Sequence, residues 1–315
     1  MDVPLATTEP SAVRRRQRLA TLLLITVTAV WGSTFFLIHD LLGHLPAADF
    51  LAVRFGVAAV IMTLACSRQV RALSRRERRV GVGLGALYGV AQLLQTVGLA
   101  HTDASRSGFI TGTYVVLTPV FGAALLRERL SRVTWAGVAL ATAGLAVLSL
   151  RGFGIGYGEG LTFAAAAIYA LHIVGLSRFA TSGAVVGLAT VQTIVIAVIS
   201  LAAAAPGGIE LPSTGGAWAS VLYMAIIAGA GTLWAQTWAQ AQLPAARAAI
   251  VMTLEPVFAS AFAVVFGGDS LTGRMLLGGG LVLAAMYLVE LFGRDTDRDA
   301  SCAESPPTEL LHHDI

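Results

Sequence analysis

The chain has 315 residues, of which 56% are hydrophobic and 12% charged, with a formal net charge of +3. A soluble chain carries about a quarter of its residues as charges, so composition and a mean hydropathy of +0.75 exclude a pair of soluble domains and point to a bundle of membrane helices. All 21 basic residues are arginine, in short runs between apolar segments and not on one face; membrane topology explains them, and a nucleic-acid surface is excluded.

A helix of about 20 apolar residues crosses a hydrocarbon core of roughly 30 Å. Ten such segments follow one another: 18–38, 47–66, 80–100, 105–126, 133–150, 158–177, 184–204, 217–240, 246–266 and 272–292. The expected fold is an all-α integral membrane protein. Arg14, Arg15 and Arg16 precede the first apolar run, which continues to Ile38. That is too long for a signal-peptide core, and no small-residue cleavage site follows, so an uncleaved first span is expected. A polar tail covers 1–17, its first 13 residues expected to be disordered; 294–315 form a second disordered tail.

The arginines set the orientation. With the N-terminus inside, 17 face the cytoplasm, among them Arg68, Arg127, Arg178 and Arg247, against Arg106, Arg151 and Arg274 outside. Both termini are therefore expected in the cytoplasm of a multi-pass cell-membrane protein. That placement requires an even number of spans.

The second half repeats the first. Gln95–Thr96 falls on Gln236–Thr237, Arg106 on Arg247 and Gly137 on Gly278 at one offset; a slightly shorter one pairs Arg54 with Gln192. The halves, 18–150 and 151–293, hold five spans each, and an odd number makes the second cross upside down. Inverted repeats of this kind are typical of secondary transporters.

Along the chain, polar and aromatic groups interrupt the apolar spans. In the first, Trp31–Gly32–Ser33–Thr34–Phe35–Phe36 breaks an aliphatic run. Trp31 lies too deep for an interfacial belt, so cavity lining is the favoured reading. Arg54 puts a formal charge inside the second span, and a structural role is expected of it. Tyr88, Gln92 and Gln95 share one face of the third, as Thr232, Gln236 and Gln240 do in the eighth, with Trp234 and Trp238 alongside. They either line a common cavity or glue the bundle by interhelical hydrogen bonds. Thr111, Tyr114 and Thr118 share a face of the fourth span, and Pro119 follows as a candidate hinge. Glu128 and Asp269 at span ends read as anchors or gate contacts.

The sixth span places Tyr169 and His172 three residues apart; His172 is a candidate proton site or a hydrogen-bonded core histidine. The ninth carries Glu255–Pro256, which sets a second candidate hinge, Pro256, beside a second candidate proton carrier, Glu255. A charge at such depth costs about 2.5–3.5 kcal/mol or more unless water, a partner or freed backbone meets it. Pairing of Arg54 with Glu255 is open. Gly137, Ala141 and Gly144, with Gly278–Gly279–Gly280, permit close helix approach, either internally or in a homodimer. Cys66 and Cys302 make neither a disulfide framework nor a metal site. No nucleotide or metal motif is present, so no cofactor is expected. Gly267–Gly268–Asp269 lacks the second buried aspartate that an intramembrane protease would need, so no enzymatic activity is expected.

Over about 18–292 the chain resembles the EamA-like branch of the drug/metabolite transporter superfamily. The resemblance rests on Trp31–Gly32–Ser33–Thr34–Phe35, Arg54–Phe55, Ala104–Ser105–Arg106–Ser107–Gly108–Phe109–Ile110, Thr118–Pro119, Leu126–Arg127–Glu128 and Glu255–Pro256–Val257–Phe258. Asp269 stands where that family usually has glutamate. The resemblance implies two inverted five-helix repeats around a cavity walled by spans 1, 3, 4, 6, 8 and 9, with spans 5 and 10 as scaffold. It also implies export of small metabolites, amino acids or drugs. The expected cavity residues are Trp31, Gln92, Gln95, Tyr114, His172, Trp234 and Gln236. An uncoupled facilitator or exchanger, or a membrane receptor or scaffold without flux, are the alternatives.

Overall fold

The computed structural model describes residues 10–102, 104–127, 130–149, 156–181, 183–266 and 270–302, with backbone alone at 10–12, 35, 36, 39, 40, 104–106, 109, 148, 149, 263, 290 and 293–302. Glu128, Arg129, Arg151, Gly267, Gly268, Asp269 and the ends of both tails lie outside the described residues, as does the Arg106 side chain.

Every described element is a helix. The first apolar segment is divided into α1 (Pro10–Gly32) and α2 (Phe35–Leu42). At the break, Ser33 Oγ donates to Val30 O at 2.7 Å and Thr34 Oγ1 to Trp31 O at 2.8 Å. The hydroxyls thus take up carbonyls that the interrupted ladder frees. α3 (Ala47–Ala72) and α4 (Arg75–Leu99) follow, and a capping box at Ser74 and Glu77 starts α4. The fourth segment is α5 (Ala104–Gly112) and α6 (Tyr114–Leu126), interrupted at Thr113, well before Pro119, which lies inside α6. α7 (Arg132–Ser149), α8 (Tyr157–Phe179) and α9 (Val185–Ala204) are continuous.

The eighth segment runs through α10 (Gly215–Ala225), a π-helical stretch at Ile226–Gly231 and α11 (Thr232–Gln240). The ninth is α12 (Ala245–Met252) and α13 (Glu255–Phe266); Pro256 is the second residue of α13, where a missing N–H costs nothing. α14 (Gly273–Cys302) completes the chain. Helix therefore extends into both stretches expected to be disordered. Pro10 is a favourable first helical residue, and no glycine or proline stands between Arg294 and Cys302.

Among the described residues, six helical runs are long and apolar enough to cross a membrane: Ala47–Ala72, Arg75–Leu99, Tyr157–Phe179, Val185–Gly207, Gly215–Gln240 and Ala245–Phe266. Ile110–Leu126, Arg132–Val147 and Gly273–Val289 are shorter apolar helices.

The helices pair in a pattern with a twofold character. α3 packs on α9, and α7 on α14. α4 packs on α8 and α9, as α11 and α10 pack on α1 and α3; α6 packs on α8, as α13 packs on α1. Glycines set the closest approaches. A Cβ at Gly144 would stand 2.8 Å from Gly278 O and 2.9 Å from Val282 N, so α7 and α14 touch backbone to backbone. Gly137 and Gly144 are thus packed against α14 inside the protein. Gly32 admits α13, since a Cβ there would meet Ala259 N at 2.8 Å.

Two apolar clusters flank the centre. One joins Leu24, Tyr114, Leu145, Ile173, Ile250 and Val282. The other joins Phe50, Phe55, Tyr88, Ile196, Met224 and Leu233. Tyr169 packs against both.

Candidate functional site: a polar cavity at the centre of the bundle

A cavity of about 80 Å³ lies between these clusters. Its walls are Trp31, Thr34 and Ile38 around the α1–α2 break, Arg54 of α3, and Tyr88, Gln92, Gln95, Thr96 and Leu99 of α4. Thr111 and Tyr114 flank the α5–α6 break; Tyr169, His172 and Ile173 come from α8; Gln236 comes from α11, and Met252 and Glu255 flank the α12–α13 break. Three of the broken segments thus meet here. Irregular backbone at membrane depth is tolerated only inside protein or against a cavity.

The α4 face is set by helical spacing, which stacks Tyr88, Gln92 and Gln95 toward α8. Tyr169 is the hub: its hydroxyl lies 2.9 Å from Gln92 Oε1 and 2.8 Å from Gln95 Oε1, and its one hydrogen serves both. Gln95 Nε2 passes the chain on to Thr111 Oγ1 at 3.1 Å. The Tyr88 ring meets the rings of Tyr169 and His172 edge-on, with centroids 5.5 and 5.0 Å apart. His172 is fully buried; Nε2 donates to Gln192 Oε1 at 2.9 Å, and Nδ1 has no partner among the described residues. Gln192 Nε2 is held in turn by Leu188 O at 3.3 Å.

Across the cavity, Trp31 Nε1 donates to Thr232 Oγ1 at 3.0 Å and to Ala228 O at 3.3 Å. The Arg54 guanidinium, 5% exposed, donates from Nε to Met224 O at 3.1 Å and from Nη2 to Ala228 O at 3.0 Å. It also lies over the Phe55 ring, 5.0 Å from the centroid. The carbonyls of a distorted helix therefore meet its charge. Glu255 has no hydrogen bond or ion pair with any described residue, and it does not pair with Arg54. Gln236 Oε1 and Thr118 Oγ1 are buried acceptors without a partner among the described residues.

Of the residues expected in the cavity, Trp31, Gln92, Gln95, Tyr114, His172 and Gln236 line it, with Arg54 and Glu255. Trp234 does not. It is 43% exposed, whereas Gln236 is 1% exposed. Two residues along a helix turn the side chain through about 200°, so the two cannot share a face. Arg247, counted among the cytoplasmic loop arginines, is buried at the start of α12, where Nη2 donates to Thr21 Oγ1 at 3.3 Å. Tyr169, Thr34, Thr96 and Met252 are cavity residues that the sequence reading did not select. Tyr169 had a signal: its offset from Trp31 equals that from Arg54 to Gln192. Both aromatic donors reach across to a polar helix, Trp31 to α11 and Tyr169 to α4.

The sequence matches the EamA-like transporter family twice, over residues 18–150 and 156–291. The chain belongs to this family. It is a multi-pass membrane protein of a transporter family, and the doubled EamA domain accounts for the repeat. An uncharacterized transporter of Archaeoglobus fulgidus is 30% identical over 274 residues, covering 85% of this chain and 84% of its own length. A probable amino-acid metabolite efflux pump of Salmonella typhimurium is 27% identical, covering 88% of this chain and 96% of its own. A probable terminal-alkyne amino-acid exporter of Streptantibioticus cattleyicolor is 25% identical, covering 88% and 95%. A protein crystal structure matches the EamA-like fold with a TM-score of 0.73 at 21% identity, over 88% of this chain and 98% of that one.

Proposed function

We propose that this EamA-like protein is a secondary transporter that exports small metabolites, amino acids or drugs by alternating access through the central cavity. The observation that carries the reading is the cavity itself. Many polar side chains line it, it is built where helices break, and it holds Gln236 Oε1 and His172 Nδ1 without a partner among the described residues. Mere bundle glue would satisfy its own polar groups. Its walls come from both repeats, so movement of one against the other would open it to either side, as alternating access requires. The architecture we propose is ten spans in two inverted five-helix repeats with both termini cytoplasmic. The doubled family match, the twofold pairing of helices and the arginine placement support it. The names of the two relatives described as an efflux pump and an exporter support the outward direction.

Glu255 and His172 are the proposed proton carriers. Both line the cavity; His172 Nδ1 has no partner among the described residues, and Glu255 makes no hydrogen bond to any of them. The test compares metabolites retained by cells with and without the protein, then measures flux of the hits in proteoliposomes. Solute movement that Gln95→Leu with Gln236→Leu abolishes is the expected result. No movement of any hit, or movement indifferent to the cavity substitutions, overturns the reading.

A further inference from the structure

Arg54 and Trp31, from different helices, converge on one peptide carbonyl, that of Ala228. It belongs to the π-helical stretch Ile226–Gly231, where the regular α-helical ladder is interrupted and carbonyls lose their usual partners. Arg54 also takes Met224 O, so both of its bonds hold the α10 side of the distortion to α3. Trp31 spans the distortion: its indole N–H is shared between Ala228 O and the hydroxyl of Thr232, the first residue of α11. Thr232 Oγ1 lies 2.8 Å from Ala228 O and 3.2 Å from Gly229 O. Three donors thus crowd one acceptor that has two lone pairs. The Trp31 bond to it, at 3.3 Å, is the longest.

Both donors line the cavity, but they differ in how firmly they are held. Arg54 is packed among Phe50, Phe55 and the backbone of α10. Trp31 is part of the cavity wall, and Gln236, just beyond the joint on α11, is another part. A solute in the cavity meets both side chains, and the indole has the weaker hold on the Ala228 carbonyl.

We propose that Ile226–Gly231 is the working joint of this helix. Arg54 is the positioning residue that fixes its α10 side. Trp31 is the sensor whose displacement by a cavity ligand frees α11, and Gln236 with it, to turn. The proposal deepens the transport reading and rests on it for the ligand. Glycines at 229 and 231 suit a joint. A Cβ at Gly229 would stand 2.9 Å from Met224 O, the carbonyl that Arg54 holds.

The test is hydrogen–deuterium exchange of the full chain in lipid nanodiscs, read for residues 226–234 against α9, with flux measured in parallel. Trp31→Phe keeps an aromatic ring, smaller than the indole, and loses the donor. It should speed exchange across 229–234 by about tenfold, the worth of one hydrogen bond, and leave α10 unchanged. Arg54→Gln should speed exchange across α10 as well, and Arg54→Lys should restore part of it. In flux, Arg54→Gln should lower kcat, and Arg54→Lys should restore part of it. If Arg54→Gln does not fold, Trp31→Phe and Gly229→Ala carry the test, since neither removes a charge. Exchange across 226–234 that matches α9 and is indifferent to Trp31→Phe overturns the joint. So does a KM effect without a kcat effect for Arg54→Gln. A wild-type protein that moves no solute, yet shows the Trp31-dependent exchange, overturns the transport reading and upholds the joint. Flux with flat exchange does the reverse.

Discussion

Arg54 and Glu255 line the same cavity, but their side chains are held in different ways. The guanidinium is fixed by the carbonyls of Met224 and Ala228; the carboxylate has no hydrogen-bond or ion-pair partner among the described residues. An ion pair would make the two residues equivalent in a stability assay. This arrangement makes them unequal. Arg54→Met should lower stability by about 3 kcal/mol, as breaking a buried charged contact does. Glu255→Gln should leave stability unchanged or raise it, because no partner is lost and a buried charge is replaced by an amide. Thermal unfolding in detergent reads both. Equal losses would show that the two residues depend on each other after all. Glu255→Gln should also remove the pH dependence of flux, and a retained profile would exclude Glu255 as the proton carrier.

The bundle was legible because membrane helices obey two coarse rules, length and apolarity, that survive any detail of packing. Among the described residues, six of the apolar segments fall on helical runs long and apolar enough to cross a membrane, and three more on shorter apolar helices. Breaks with a chemical marker were legible too: Gly32 precedes one and Pro256 follows another. The break at Thr113 and the π stretch 226–231 were not, although Gly112, Gly229 and Gly231 stand there, because 34 glycines along the chain single out no position. The π stretch is held by distant groups, Arg54 and Trp31. The error at Trp234 was of another kind: residue type outweighed helical phase, although its spacing from Gln236 already excluded a common face.

The Tyr169 hydroxyl is the one donor that joins Gln92 and Gln95. Tyr169→Phe keeps the ring against Tyr88 and removes only that donor. Two glutamine carbonyls then lose a partner, at a cost of about 0.6–2 kcal/mol within a membrane bundle. The effect on flux should exceed the effect on stability, since the freed side chains form the cavity wall. Thr111→Val, which releases Gln95 Nε2, should act in the same direction and more weakly. Flux equal to wild type in Tyr169→Phe would show that this network only packs the bundle.

Trp31 and Trp234 separate cavity from surface. Trp234 is 43% exposed, on a helix face that the membrane covers in the proposed architecture. Trp234→Leu should therefore leave flux within about twofold of wild type, as substitutions away from any site usually do. Trp31→Leu, which removes a cavity wall and the donor to Thr232, should lower flux by about tenfold or more. Comparable losses in proteoliposomes would place Trp234 at the path of the solute, against the fold described above.

The contact of α7 with α14 tests whether these two helices serve as scaffold. At Gly144 an added Cβ would stand 2.8 Å from Gly278 O and 2.9 Å from Val282 N. Both are backbone atoms, so no side-chain rotation relieves the clash. Gly144→Ala should force the helices apart and lower stability by about 1–3 kcal/mol, the usual cost of overpacking. At Gly280 no atom lies within 4 Å of an added Cβ. Gly280→Ala should be neutral or stabilising by up to about 1 kcal/mol, through helix propensity alone. The pair controls for composition, since both change glycine to alanine in an apolar helix. KM measured for Gly144→Ala in the protein that remains folded should match wild type, because the contact is remote from the cavity wall. A raised KM would mean that α7 and α14 do more than hold the halves together.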